Sequence, residues 1–185
     1  MEPALSDLSE SSVLRAVEGQ PEDLEAFALA FLPRVYGLAL RLSRDAALAE
    51  EATQEAYLRI LRNLPRLERP ERVDSWVLRI TSNVVRDLYR RRDPAQPLTY
   101  EPPAIPAEDD DWERARRRAI DLALDELDFD ERELFLLHTV EGVRLKDLAR
   151  ARKRSLAAIT SKVHRIRAKV RAGARAQLRK AKVLS

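Results

Sequence analysis

No helical ladder can cross the middle of this sequence. Between Asp93 and Asp111 the chain holds five of its ten prolines and six acids, with no Lys or Arg. Pro94, Pro97, Pro102, Pro103 and Pro106 each remove a backbone donor and fix φ, which breaks helices and central strands alike. Such a stretch behaves as an extended, negatively charged tether. The 185 residues therefore read as three parts: 1–92, an acidic proline-rich linker at 93–111, and 112–185.

Arg, Glu, Leu and Ala dominate the two flanking parts, and all four are good helix formers. Four glycines and 5% aromatic residues are too few for a strand-rich sandwich or barrel. The expected fold class is all-α, with two helical modules joined by a flexible linker. No cysteine is present, which excludes disulfides and thiolate metal sites, and two histidines cannot make a His-rich one. No metal and no cofactor is expected. No apolar run is seen to approach the roughly 18 to 20 residues of a membrane span. Residues 1–10 are acidic and lack the positive flank of a signal peptide. These features lead to the expectation of a cytoplasmic protein with no membrane insertion.

The net charge of +3 conceals a gradient. Met1 to Leu32 carries seven acids against Arg15 alone, whereas Arg144 to Ser185 carries fifteen Lys or Arg against Asp147 alone. A basic segment of that density suits a polyanionic partner, and equally a solvated helix face.

In the first module, helices are expected over 12–18, stopped by Gly19; over 22–43, broken or bent near Pro33; over 46–64, stopped by Pro65; and over 74–92, capped by Asp74. Within the third, Glu51, Gln54 and Glu55 fall at i, i+3 and i+4 and share a face. Leu48, Ala52, Ala56, Leu58, Ile60 and Leu61 make the apolar remainder. An acid-amide-acid ridge suits docking against arginines on another helix, although an ordinary solvated face has the same spacing. In the fourth, Trp76, Ile80, Val84 and Leu88 are expected to pack inward. Arg79, Asn83, Arg86 and Arg90 form the opposite stripe, able to hold a phosphate backbone and one base edge. Trp76 has two readings, core packing or stacking on unpaired bases.

The second module reads as a charged helix over 112–127, a helix over 130–141 capped by Asp130 and ended by Gly142, a short helix over 145–150, and a long one capped by Ser155 and ending near Gly173. In the long helix Leu156, Ile159, Val163, Ile166 and Val170 make the buried side. Thr160, Ser161, Lys162, Arg165 and Lys169 face outward. Short helix, tight turn and longer basic helix is the helix-turn-helix arrangement, whose second helix enters a major groove. Ala149 is small enough to let the two helices cross closely.

The runs 49–57, 75–87, 127–142 and 155–167, in this order and with this linker, resemble the extracytoplasmic-function (ECF) group of bacterial RNA polymerase sigma factors. The resemblance extends over residues 12–171. Ala49-Glu50-Glu51-Ala52-Thr53-Gln54-Glu55-Ala56-Tyr57 is similar to the family's region 2.2. This implies that Glu51, Gln54, Glu55 and Tyr57 bind the clamp helices of the largest polymerase subunit. Ser75 to Asn83, then Arg86-Asp87, resembles region 2.4. This implies that Arg79, Asn83, Arg86 and Arg90 follow the melted minus-ten strand, with a flipped base held by the loop 67–73 and Arg90-Arg91-Arg92 on upstream phosphates. Leu127, Glu131-Arg132-Glu133 and Val140-Glu141-Gly142 resemble the opening of region 4, and Ser155 to Arg167 its recognition helix. Thr160, Ser161, Lys162, Arg165 and Lys169 are thereby implied at the minus-thirty-five element. The family commonly has an apolar residue and then Gly where this turn has Arg152 and Lys153. An Arg there is expected to snorkel to water.

The resemblance implies a sigma factor that binds core polymerase and directs promoter-specific transcription initiation, melting the minus-ten element with region 2 and recognising the minus-thirty-five element with region 4. The implied partners are the polymerase core, through the clamp helices and the flap of the second-largest subunit, promoter DNA, and an anti-sigma factor covering the same surfaces. The alternative is a sigma-like adaptor that binds polymerase or an anti-sigma factor without reading a promoter. No Gly-rich phosphate loop or nucleophile-base pair speaks for an enzyme. The linker is expected either to occupy a positively charged polymerase channel or to act only as a spacer.

Overall fold

The computed structural model describes residues 10–92 and 111–183. Residues 1–9 lie outside it, as does the expected linker except for Asp111, which opens a helix. The chain divides between Glu101 and Pro102 into two compact units, and the described residues of both are helical without a strand.

The first unit contains α1 (Glu10–Val17), α2 (Pro21–Ser43), α3 (Ala46–Asn63) and α4 (Val73–Arg91), with 3-10 turns Leu64–Arg66 and Pro70–Arg72 between the last two. Pro21 opens α2, where a missing N–H is harmless. α2 runs as one helix through Pro33, so of the break or bend expected there the break does not occur. Pro33 and Leu29 are both exposed, so water can take the Leu29 carbonyl that Pro33 leaves without its helical donor. At the α2–α3 junction Arg44 adopts a left-handed φ of 56°. Asp45 then caps α3 by accepting from the Leu48 N–H at 3.0 Å.

One core joins α2, α3 and α4. Phe27, Phe31, Leu38 and Leu42 meet Ala49, Ala52, Ala56 and Ile60 of α3 and Val77, Leu78, Val84 and Val85 of α4. The Phe27 and Phe31 rings sit 4.8 Å apart and tilted by 42°, within the favourable range for aromatic pairs. Small alanines on α3 let its neighbours approach closely. α2 is long and apolar enough to cross a bilayer by length and composition alone, and its apolar side is buried in this core.

Two expectations for α4 need correction. Its buried positions are Val73, Val77, Leu78, Thr81, Ser82, Val84 and Val85, rotated from the predicted stripe. Trp76, Ile80 and Leu88 are half-buried at the border. Thr81 can lie inside because its hydroxyl donates to the Val77 carbonyl at 3.0 Å, which satisfies the polar group. Asp74 does not cap α4. The Pro70–Arg72 turn feeds directly into the helix, giving the Val73 N–H the Pro70 carbonyl, and Asp74 pairs with Arg34 of α2 at 3.4 Å.

The second unit contains α5 (Asp111–Asp125), α6 (Phe129–Phe135) continued by a π-helical turn (Leu136–Val140), α7 (Leu145–Ala151) and α8 (Leu156–Val183). The cap of α6 is Asp128, which accepts from the Glu131 N–H at 2.7 Å, so the cap lies two residues before the expected Asp130. Buried Arg132 donates to the Leu124 and Leu127 carbonyls at 3.1 and 3.0 Å and so closes the end of α5. Gly142, at φ 70°, ends the α6 segment as expected.

α8 buries Ile159, Val163, Ile166, Val170 and Ala174, but Leu156, expected inside, is 50% exposed. The helix also runs ten residues past Gly173, where it was expected to stop. A Cβ on Gly173 would lie 3.0 Å from the Ala123 Cβ of α5. The glycine is therefore a crossing point between α5 and α8 and not a terminator.

Candidate functional site

The acidic ridge faces solvent. Glu51 and Gln54 are exposed and Glu55 is half-buried. At 100° per residue the same line continues through Leu58 and Leu61. Those leucines, assigned above to the apolar remainder, are 57% and 40% exposed, because the core closes over Ala52, Ala56 and Ile60 on the opposite side. The ridge is thus acidic in its first half and apolar in its second, which is the composition of a protein-docking face. The signal was present in the spacing, since Leu58 follows Gln54 by four and Glu51 by seven.

Two members of the predicted group brace the ridge. Glu55 accepts from Arg59 Nε at 2.7 Å, and Arg59 Nη1 reaches Asp87 of α4 at 3.3 Å. The Glu55 bond is the largest cause holding Arg59 more firmly in its charged form. The half-buried Tyr57 donates its hydroxyl to the Ala28 carbonyl of α2 at 2.7 Å. Burial pushes its phenol well above the ordinary value, so it stays neutral. Glu55 and Tyr57 fasten α3 to α4 and α2, while Glu51, Gln54, Leu58 and Leu61 face outward.

On α4, Arg79, Asn83 and Arg90 are exposed and Arg86 is half-buried. This stripe lies diametrically opposite the buried Thr81, Val84 and Val85. Trp76 and Ile80 border it, within about 60° of Asn83 around the helix. Cations, one amide and a flat apolar edge therefore occur side by side, the components used to hold unpaired nucleotides. In the loop 67–73 that leads into α4, Glu68, Arg69 and Glu71 are exposed.

In the second unit Ser155 caps α8 by accepting from the Ala158 N–H at 3.2 Å. Thr160, Ser161 and Arg165 are exposed and Lys162 is half-buried. The Thr160 hydroxyl turns back to the Leu156 carbonyl at 2.8 Å, and Lys169 Nζ pairs with Glu131 of α6 at 2.9 Å. Ser161, Lys162 and Arg165 are left as the outward group near the start of the helix. The preceding turn accommodates its unusual residues. Lys153 is exposed and left-handed at φ 51°. Arg152 does not snorkel; its guanidinium pairs with Glu133 of α6, whose side chain is 6% exposed. Sequence reasoning missed this pair because its members are nineteen residues apart and on no common face.

Two family models match the chain, Sigma-70 region 2 over residues 27–94 and Sigma-70, region 4 over residues 117–170. The RNA polymerase sigma factor CarQ of Myxococcus xanthus is 31% identical over 158 residues, covering 80% of this chain and 87% of CarQ. The chain belongs to the ECF family of RNA polymerase sigma factors. The ECF RNA polymerase sigma factor SigE of Mycolicibacterium smegmatis is 34% identical over 147 residues, 75% of this chain, and the chain spans 56% of SigE. Among solved structures, the sigma factor RpoE of Bartonella quintana, in complex with the anti-sigma factor NepR, has the same fold. It aligns with TM-score 0.66 at 22% identity, covering 82% of this chain and 96% of RpoE. In this sigma factor the region 2 match holds α3, α4 and most of α2, and the region 4 match ends inside α8.

Proposed function

We propose that this sigma factor docks on core RNA polymerase through the α3 ridge and directs promoter-specific initiation in the cytoplasm, without catalytic chemistry of its own. Glu51, Gln54, Leu58 and Leu61 make the polymerase contact. Arg79, Asn83, Arg86 and Arg90, bordered by Trp76, hold the melted minus-ten strand. Ser161, Lys162 and Arg165 read the minus-thirty-five duplex. The observation that carries this reading is the separation of surfaces of opposite character on neighbouring helices, acidic-apolar on α3 and cationic on α4, braced by the Glu55–Arg59–Asp87 chain. RpoE was solved with an anti-sigma factor, and a protein of that class is proposed as a partner here.

The test is core-polymerase binding together with run-off transcription from a genomic promoter library. Glu51→Arg with Leu58→Asp should abolish core binding. Asn83→Ala with Arg86→Ala should leave binding intact and remove promoter-specific transcripts. Binding without transcripts from any promoter would instead identify an adaptor.

A further inference from the structure

Arg167, Arg171, Arg175 and Arg179 step along α8 by four, and all four are exposed. Three of them lie beyond the region 4 match, which ends at residue 170, while the helix continues to Val183. α8 holds no acid at all, and among the described residues none of the four is ion-paired.

Like charges at i and i+4 repel and destabilise a helix. Stabilisation of the helix dipole accounts for cations in the last turn only, and Arg167 and Arg171 stand several turns earlier. The row is also held in place. Ala174 is buried and Gly173 crosses Ala123 closely, so α5 anchors the extension. A four-residue step turns the row by about 40°, so it winds toward the side of Ser161 and reaches it at Arg179, five full turns and about 27 Å further along.

We propose that this row is a sequence-independent DNA-binding surface, in which the four guanidiniums grip phosphates of the duplex flanking the base pairs that the start of α8 reads. The inference rests on the sigma-factor reading for the position of α8 on DNA, but its charge argument stands on the helix alone. Ser161, Lys162 and Arg165 supply sequence preference, and the arginine row supplies affinity and salt dependence.

The experiment is fluorescence anisotropy of the full chain with labelled random-sequence duplexes across a potassium chloride series. Replacing Arg171, Arg175 and Arg179 by Gln should make the fall of log K with log salt shallower, by about 0.9 for each phosphate no longer neutralised, equally on unrelated sequences. Replacement of the same three by Lys should retain the slope. An unchanged slope in the Gln variant overturns the proposal. So does a drop in core-polymerase affinity at unchanged slope, which would assign the row to polymerase and leave the sigma-factor reading standing.

Discussion

The two units place buried charge differently. In the first, Phe27, Phe31, Leu38, Leu42, Ile60, Leu64 and Leu78 are fully enclosed, the ion pairs Arg34–Asp74 and Arg59–Asp87 tie one helix to another around them, and buried Arg44 and Asp45 sit at the α2–α3 junction, where Asp45 pairs with Arg92. In the second, among the described residues only Leu134, Leu136 and Ile166 are comparably large and enclosed, and Arg132 and Glu133 are themselves buried. The first bundle thus keeps its buried carboxylate, Asp45, at the ends of its helices, whereas the second holds Glu133 within α6, against the turn between α7 and α8. The difference teaches that the Arg in this turn is met by a carboxylate of α6, a partner that the sequence of the turn alone does not show.

This comparison can be tested unit by unit, since Trp76 lies in the first and Trp112 in the second. The largest effect is expected from Glu133→Ala, which leaves the half-buried Arg152 guanidinium without its partner and should cost about 3 kcal/mol, the low end for breaking a buried pair. Urea unfolding followed through Trp112 should show it, with the Trp76 transition unmoved. Leu at both positions 133 and 152 should recover most of that stability; if it does not, the pair does more than fill space. In the first unit Leu78→Ala should cost about 2–5 kcal/mol, seen through Trp76 alone.

A smaller effect is expected from Tyr57→Phe, which removes the bond to the Ala28 carbonyl and should cost about 1 kcal/mol. Because the folded phenol titrates above its unfolded value, the stability it contributes is complete below about pH 10 and declines as pH rises further. Tyr57→Phe should flatten that alkaline limb in the Trp76 signal. The smallest effect contrasts Arg44 and Lys153, the two left-handed non-glycine residues among those described. Lys153 is exposed, so Lys153→Gly should stabilise the second unit by up to about 1 kcal/mol. Arg44 is 2% exposed, and Arg44→Gly should destabilise the first unit by removing a packed side chain. Equal signs at the two sites would contradict the contrast.

Helix order, the short-turn-long arrangement of α7 and α8, and the outward stripes of α3 and α4 were legible because each repeats with helical period. Ends and faces were less so. Asp74 and Asp130 have the right residue type for caps, yet a 3-10 turn and Asp128 take those places. α4 carries two overlapping apolar stripes, and only its packing against α2 and α3 decides that Val77 is buried and Trp76 half-exposed. Gly173 has the residue type of a helix stop, and its neighbour Ala123, fifty residues earlier, is invisible to local pattern. The Arg152–Glu133 pair was hidden for the same reason.

The central claim is that α3 meets protein while α4 and α8 meet DNA. Photo-crosslinking in the reconstituted holoenzyme tests it most directly, with a photoreactive residue placed in turn at Gln54, Asn83 and Arg165. The account predicts crosslinks from Gln54 to the largest polymerase subunit, and from Asn83 and Arg165 to promoter DNA. Crosslinks from all three positions to protein alone would contradict it.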